Sequence, residues 1–263
     1  MSEPQTRRER RARSGDRASA AAVRRSGGGW RAVVGVIGEL MLTAGVLVLL
    51  FIGWKLWVND GVVDAAQEQA ASEYSDQWAQ APDTSGDTET TTTPPDPTID
   101  PQGNEVFGVV YAERLGATWQ RPIARGVERK PVLDSIGAGW YPSTQLPGQV
   151  GNFAIAAHRG GQGSSFRYID TLQVGDKITI ETPDGWYVYT FRNTEYVMET
   201  AVSVLDAVPQ RDGVTATARL LTLTSCNPYP LSHGERIIAY AVFDSFTPRA
   251  TGAPAVLDYL QEG

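Results

Sequence analysis

Twenty consecutive residues, Val33 to Ile52, carry only one charge, Glu39. A helix rising 1.5 Å per residue makes such a run about 30 Å long, close to the hydrocarbon thickness of a bilayer. Trp30 lies just before the run and Trp54 and Trp57 just after it, at the depths where indoles favour the interface. A cleaved leader would have an apolar stretch of about 7–15 residues ending at small side chains. This run is longer and ends in Phe-Ile-Gly-Trp, so residues 32–54 read as an uncleaved transmembrane anchor. Glu39 reads as a carboxylate tolerated near the cytosolic side, protonated or packed against another protein.

The anchor divides the charge. Residues 1–31 hold nine arginines against Glu3, Glu9 and Asp16, a balance of +6 in a chain of net −7, so the remainder carries −13. A basic head before the span, and only Lys55 between it and Asp60, puts the N-terminus in the cytosol and the body outside. An acidic body argues against nucleic acid as a partner. Residues 1–31 have almost nothing to bury and read as a disordered basic tail.

Residues 55–105 read as an extracellular stalk or linker. Asn59 to about Gln80 has helical character, but the stretch APDTSGDTETTTTPPDPTIDPQGN is Thr, Asp and Pro with one Ile. Such a composition favours an extended, disordered spacer. From Val106 the texture changes to short runs rich in Val, Ile, Tyr and Thr: FGVVYAERLG, NFAIAAH, DKITIETPDG, WYVYTFRNTEYV, ARLLTLTSC and ERIIAYAVF. Several alternate with period two, and Pro183-Asp184-Gly185 reads as the turn of a hairpin. Helical signal is confined to 133–137 and the C-terminal VLDYLQ. Residues 106–250 are therefore an all-β barrel or sandwich, and 251–263 a tail.

Cys226 is the single cysteine of 263 residues, in the part read as exported. It cannot close an internal disulfide, which leaves a buried inert thiol, an intermolecular bridge or a nucleophile. It follows the strand-like run Leu220–Ser225 and precedes Asn227-Pro228, so it sits at a strand end, rigidly held yet open. A thiol of pKa about 8.5 needs a base or a cation beside it to react at neutral pH. His158 ends a strand-like run and enters a glycine-rich loop, whereas His233 lies in the polar loop YPLSHGE and reads as solvated. Arg236 opens the last strand-like run; if that strand neighbours the one ending at Cys226, its guanidinium lies beside the sulfur, where it can donate to a developing oxyanion. One cysteine and two separated histidines make no metal-ligand cluster.

Several separated motifs resemble the sortase family. Thr222-Leu223-Thr224-Ser225-Cys226 is similar to its Thr-Leu-x-Thr-Cys signature, and Arg236 falls where the family's arginine does. GNFAIAAHRG resembles the segment carrying the family's histidine. GAGWYPSTQLPGQ at 137–149, SSFRYIDTLQVGDKI at 164–178, and ERIIAYA resemble sortase sequence too. With GELMLTAGVLVLLF in the anchor, the resemblance is to the class E group of actinobacteria, over roughly residues 106–243. Ser225 stands where most members have Thr, and Trp140 where class E often has His.

The resemblance implies a closed, roughly eight-stranded β-barrel and a cysteine transpeptidase with Cys226 as nucleophile, His158 as acid and base and Arg236 as oxyanion donor. Ser225 and Tyr141 are expected to contact substrate. The implied substrates are secreted proteins bearing a C-terminal Leu-Ala-x-Thr-Gly or Leu-Pro-x-Thr-Gly motif, and a lipid-linked peptidoglycan precursor whose amine accepts the acyl group. No cofactor is expected, though some sortases use calcium and carboxylates are plentiful. Two other readings stay open: a hydrolytic cysteine peptidase, and a non-catalytic wall-binding β-domain with an inert thiol.

Overall fold

The computed structural model describes residues 28–54, 59–80, 89–230 and 232–261; the basic tail expected over 1–31 lies outside them up to residue 27. The described residues separate into two units, with the division between Ile52 and Gly53. The first is helix α1, Gly28–Gly53. Its apolar side chains, such as Met41, Leu42 and Leu49, are exposed all round, the pattern of a helix whose solvent is lipid. It is long and apolar enough to cross a membrane.

The second unit is built on eight strands: β1 (Val106–Tyr111), β2 (Gln120–Arg125), β3 (Ala138–Trp140), β4 (Gly151–Ala157), β5 (Lys177–Thr182), β6 (Gly185–Met198), β7 (Arg219–Asn227) and β8 (Glu235–Pro248). They close into a barrel in the order β1-β2-β3-β4-β7-β8-β6-β5. Closure removes the unpaired edges that an open sheet would expose. The pairs are antiparallel except β2 with β3 and β4 with β7. The expected β5–β6 hairpin is present, and Gly185 takes φ +144° in it, where a Cβ would collide with the Thr247 carbonyl. The interior is filled by alternate strand residues, among them Phe153, Ile155, Ile180, Tyr187, Leu221 and Leu223.

The expected stalk is corrected by what docks on this barrel. Asn59–Ala79 is a 21-residue helix, α2. Asp60, Gln67, Ala71 and Trp78 are buried, a helical stripe that is half polar. The Arg121 guanidinium, almost fully buried, pairs with Asp64 and, at 3.3 Å, with Glu68. Ser72 accepts from Gln120 Nε2 at 2.6 Å, and Ser75 donates to Glu181 at 3.0 Å. Trp78 and Ala71 pack with Val109, Tyr111, Trp186 and Leu257 in a second apolar cluster outside the barrel.

Residues 89–103 also lie on the barrel rather than away from it. Thr91 and Phe246 exchange backbone hydrogen bonds of 2.8 Å each, Thr98 N–H donates to Asp184 at 2.9 Å, and Ile99 packs on the core. Nor is the C-terminal segment a loose tail: Ala255–Gln261 forms 3-10 turns that bury Leu257. Residues 81–88, 262 and 263, also assigned to stalk and tail, lie outside the described residues.

Candidate active site

Three neighbouring strands end at one level, and each brings one candidate residue there. In the antiparallel β7–β8 ladder Cys226 is the direct partner of Arg236. In the parallel β4–β7 ladder Ala154 pairs with Thr222 and Ala156 with Thr224. Two further steps along that register bring His158, just beyond β4, level with Cys226. His158, Cys226 and Arg236 thus form a row across β4, β7 and β8, strands spaced about 4.8 Å apart.

Alternation decides which side chains share that row's face. Leu221, Leu223, Ile237 and Ala239 belong to the barrel core. Residues of the opposite parity, Thr222, Thr224 and Cys226 on β7 with Ile238 and Tyr240 on β8, therefore line the outer face. Two connections flank this face. Tyr141 hydrogen-bonds the Thr224 hydroxyl across 3.1 Å, and Asn152 Nδ2 donates to the Val204 carbonyl at 3.1 Å. Between them lie the small or compact, buried side chains of Ala156, Thr224 and Ile238, and Cys226 is partly exposed at the end of β7. Further along β8, burial and then Glu195 push the Tyr240 phenol well above its usual range, so it stays a neutral donor to Glu195 at 2.9 Å.

The imidazole and the guanidinium are each held by a partner. His158 Nε2 lies 2.7 Å from Asp134 Oδ1. Arg236 donates to Glu199 at 2.7 Å and to the Glu235 carbonyl at 3.0 Å. Next to the row, buried Arg159 bonds Asn227 and pairs with Asp170 at 2.8 Å, and Asn227 in turn bonds Glu235. A thiol, an imidazole and a guanidinium so arranged suit acyl transfer: a nucleophile, a proton carrier and an oxyanion donor. Among the described residues no group of three or more His, Cys, Asp or Glu is placed to hold a metal ion.

The sortase domain family profile matches residues 110–244. This chain belongs to the sortase family. It is 34% identical over 227 residues to sortase SrtE1 of Streptomyces coelicolor, a match covering 84% of this chain and 60% of SrtE1. The solved sortase E1 of S. coelicolor with a tripeptide in its active site is 34% identical at a TM-score of 0.53, over 58% of this chain and 96% of that one. Sortase SrtA of Actinomyces oris is 35% identical at a TM-score of 0.55, over 62% and 93%. Sortases are cysteine transpeptidases, and the barrel and the class E resemblance agree with these relatives.

Of the sortase residues singled out from sequence, Ser225 is placed differently from expectation. It is buried, and its hydroxyl donates to the Ala157 carbonyl at 2.8 Å. A strand residue next to an outward cysteine has to face inward. The serine therefore ties β7 to β4 one residue short of both Cys226 and His158, rather than lining the outer face. Tyr141 does stand on that face, against Thr224. Trp140, one residue earlier, faces the core, and its indole donates to Thr144 and the Gln145 carbonyl at 3.1 and 3.0 Å. That anchors the turn presenting Tyr141. His233 is exposed in its loop. Asp134, Glu199 and Arg159 escaped the sequence reading, since nothing in a linear sequence marks an acid or base as the partner of a group tens of residues away.

Proposed function

We propose that this sortase is a membrane-anchored transpeptidase acting on C-terminal sorting motifs of secreted proteins, of the Leu-Ala-x-Thr-Gly or Leu-Pro-x-Thr-Gly type. The observation that carries this reading is the row of His158, Cys226 and Arg236 on the outer face of the barrel, with Cys226 partly exposed. The tripeptide in the S. coelicolor relative's active site supports a peptide substrate.

The Cys226 thiolate attacks the threonine carbonyl, and the C=O pair becomes an oxyanion beside the Arg236 guanidinium. On collapse the C–N bond breaks, its pair stays on the glycine nitrogen, and His158 supplies the proton that makes it an amine. A thioester between threonine and Cys226 remains. The amine of a lipid-linked peptidoglycan precursor attacks it, His158 takes the amine's proton, and Cys226 leaves as thiolate. Both substrates are membrane-tethered, so an enzyme carried by α1 meets them at raised effective concentration.

Mass spectrometry of the detergent-solubilised full chain with a labelled sorting peptide should show a thioacyl adduct on Cys226 that an added amine resolves. Resolution by water alone, with no amine product at any concentration, would point to a hydrolase. No adduct with peptides of either motif, with the thiol still inert to a small alkylating reagent, overturns the enzymatic reading.

A further inference from the structure

An imidazole passes a proton along a defined line only if its ring is held, and one of its nitrogens can do the holding. His158 follows β4 directly, and its Nε2 is 2.7 Å from Asp134 Oδ1. Both side chains are mostly buried, 17% and 16% exposed. Asp134 is fixed from below. It caps the π-helical turn Arg129–Leu133, donating its N–H to the Arg129 carbonyl at 2.7 Å. Ile136 N–H bonds the Val132 carbonyl at 2.7 Å, and the Ser135 hydroxyl the Lys130 carbonyl at 2.8 Å. The chain then enters β3, where Ala138 pairs with Ala157, the residue before His158. Strand register therefore brings the carboxylate and the ring to the same end of one ladder.

The loop after His158 is fixed as well. The His158 carbonyl accepts from Phe166 N–H at 2.8 Å. Asp60 of α2 accepts from Gly163 N–H at 2.7 Å and from the Ser164 hydroxyl at 2.6 Å. Backbone placement of His158 is thus over-determined. The ring itself has Asp134 as its hydrogen-bond partner among the described residues.

We propose that Asp134 is a positioning residue for the proton transfers of acylation and deacylation, engaging Nε2–H so that Nδ1 is the nitrogen that delivers and recovers the proton. This rests on the role given to His158 above. In the cationic ring both nitrogens carry hydrogen. Nε2–H stays on the carboxylate, and Nδ1–H goes to the glycine nitrogen as the C–N bond breaks. The ring is then neutral, still held at Nε2, with an Nδ1 lone pair ready for the acceptor amine's proton. Asp134 gains no proton in either half.

Only two histidines are present, so ring 15N spectra of the full chain in detergent are assignable with His233→Gln. The neutral His158 ring should be the Nε2–H tautomer; an Nδ1–H tautomer in the unsubstituted protein overturns the proposal before any variant at Asp134 is made. Asp134→Asn should then lower kcat for acylation by an amide peptide about tenfold to a hundredfold with KM unchanged, toward the lower end of what a positioned proton donor contributes. A thioester of the same peptide, whose leaving thiolate needs no proton, should acylate Cys226 in Asp134→Asn nearly as fast as in the parent, read as the rate of thioacyl-enzyme formation before any acceptor amine is added. Equal loss on both substrates means a purely structural residue, and no loss on the amide means no role; either refutes the assignment. His158→Ala separates the two levels. If it is as active as the parent, the reading of His158 itself fails. If it is impaired while Asp134→Asn is not, only the positioning role falls.

Discussion

A guanidinium beside a thiol stabilises charge that develops on a carbonyl oxygen only if its donors are aimed, and Arg236 is aimed by Glu199 and the Glu235 carbonyl. Arg236→Ala should slow acylation by about 10²–10³, the cost of one oxyanion donor. Arg236→Lys should recover part of that, because an ammonium lacks the planar fork. Full recovery by lysine would mean that charge alone matters. The buried Ser225 hydroxyl makes a different demand. Ser225→Ala leaves the Ala157 carbonyl without its donor inside the barrel, which should cost about 1–3 kcal/mol in denaturant unfolding. If stability is unchanged while KM rises, the serine touches substrate after all. Cys226, His158 and Arg236 were legible from sequence because the chain offers one cysteine and two histidines at recognisable strand ends. The direction of Ser225 was also implicit in period-two alternation. Asp134 and Glu199 were not, because a paired acid and a solvated acid are the same letter.

Strands announce themselves through alternating Val, Ile and Tyr, and every strand-like run read from sequence contributes to the barrel. What sequence composition concealed was docking. Helix α2 faces the barrel with Asp60, Asp64, Gln67 and Ser75, residues that a hydrophobic pattern counts as solvent-facing. Their partners are a buried arginine, one loop amide and two loop hydroxyls, and a buried glutamate, all distant in sequence. The Thr-Pro-Asp segment deceives in the same way: its backbone joins β8 at Thr91, and the neighbouring Thr90 hydroxyl bonds that of Thr247 across 3.1 Å. Proline has no N–H to give, so Thr91→Pro should leave the Phe246 carbonyl unpaired and lower the thermal midpoint by several degrees. The same substitution at Thr93, whose N–H bonds only the Thr91 hydroxyl, is the control and should shift it less. Equal, negligible shifts would restore the free-spacer reading of this segment.

At the scale of the whole molecule, the apolar helix and the charge asymmetry together support the proposal of a membrane-anchored enzyme and make its orientation testable. Eight arginines precede α1, a ninth, Arg31, lies in its first turn, and the acidic body follows it; under the positive-inside rule this favours the proposed placement of the body outside the membrane. A barrel outside meets exported proteins and wall precursors; one inside would meet neither. The single cysteine lets the orientation be read without any fusion. In intact cells a membrane-impermeant maleimide should label Cys226, and labelling should vanish in Cys226→Ala. Because a partly buried cysteine can be slow to react, two probes in the Cys226→Ala background make the result independent of its reactivity. Val174→Cys, at a position 74% exposed on the barrel, should label in intact cells. Ser14→Cys, in the arginine-rich head, should label only after permeabilisation. The reverse pattern would put the barrel in the cytosol and remove both proposed substrates. Labelling of both probes in intact cells, with a cytosolic control protein unlabelled, would show that α1 does not separate head from body across the membrane.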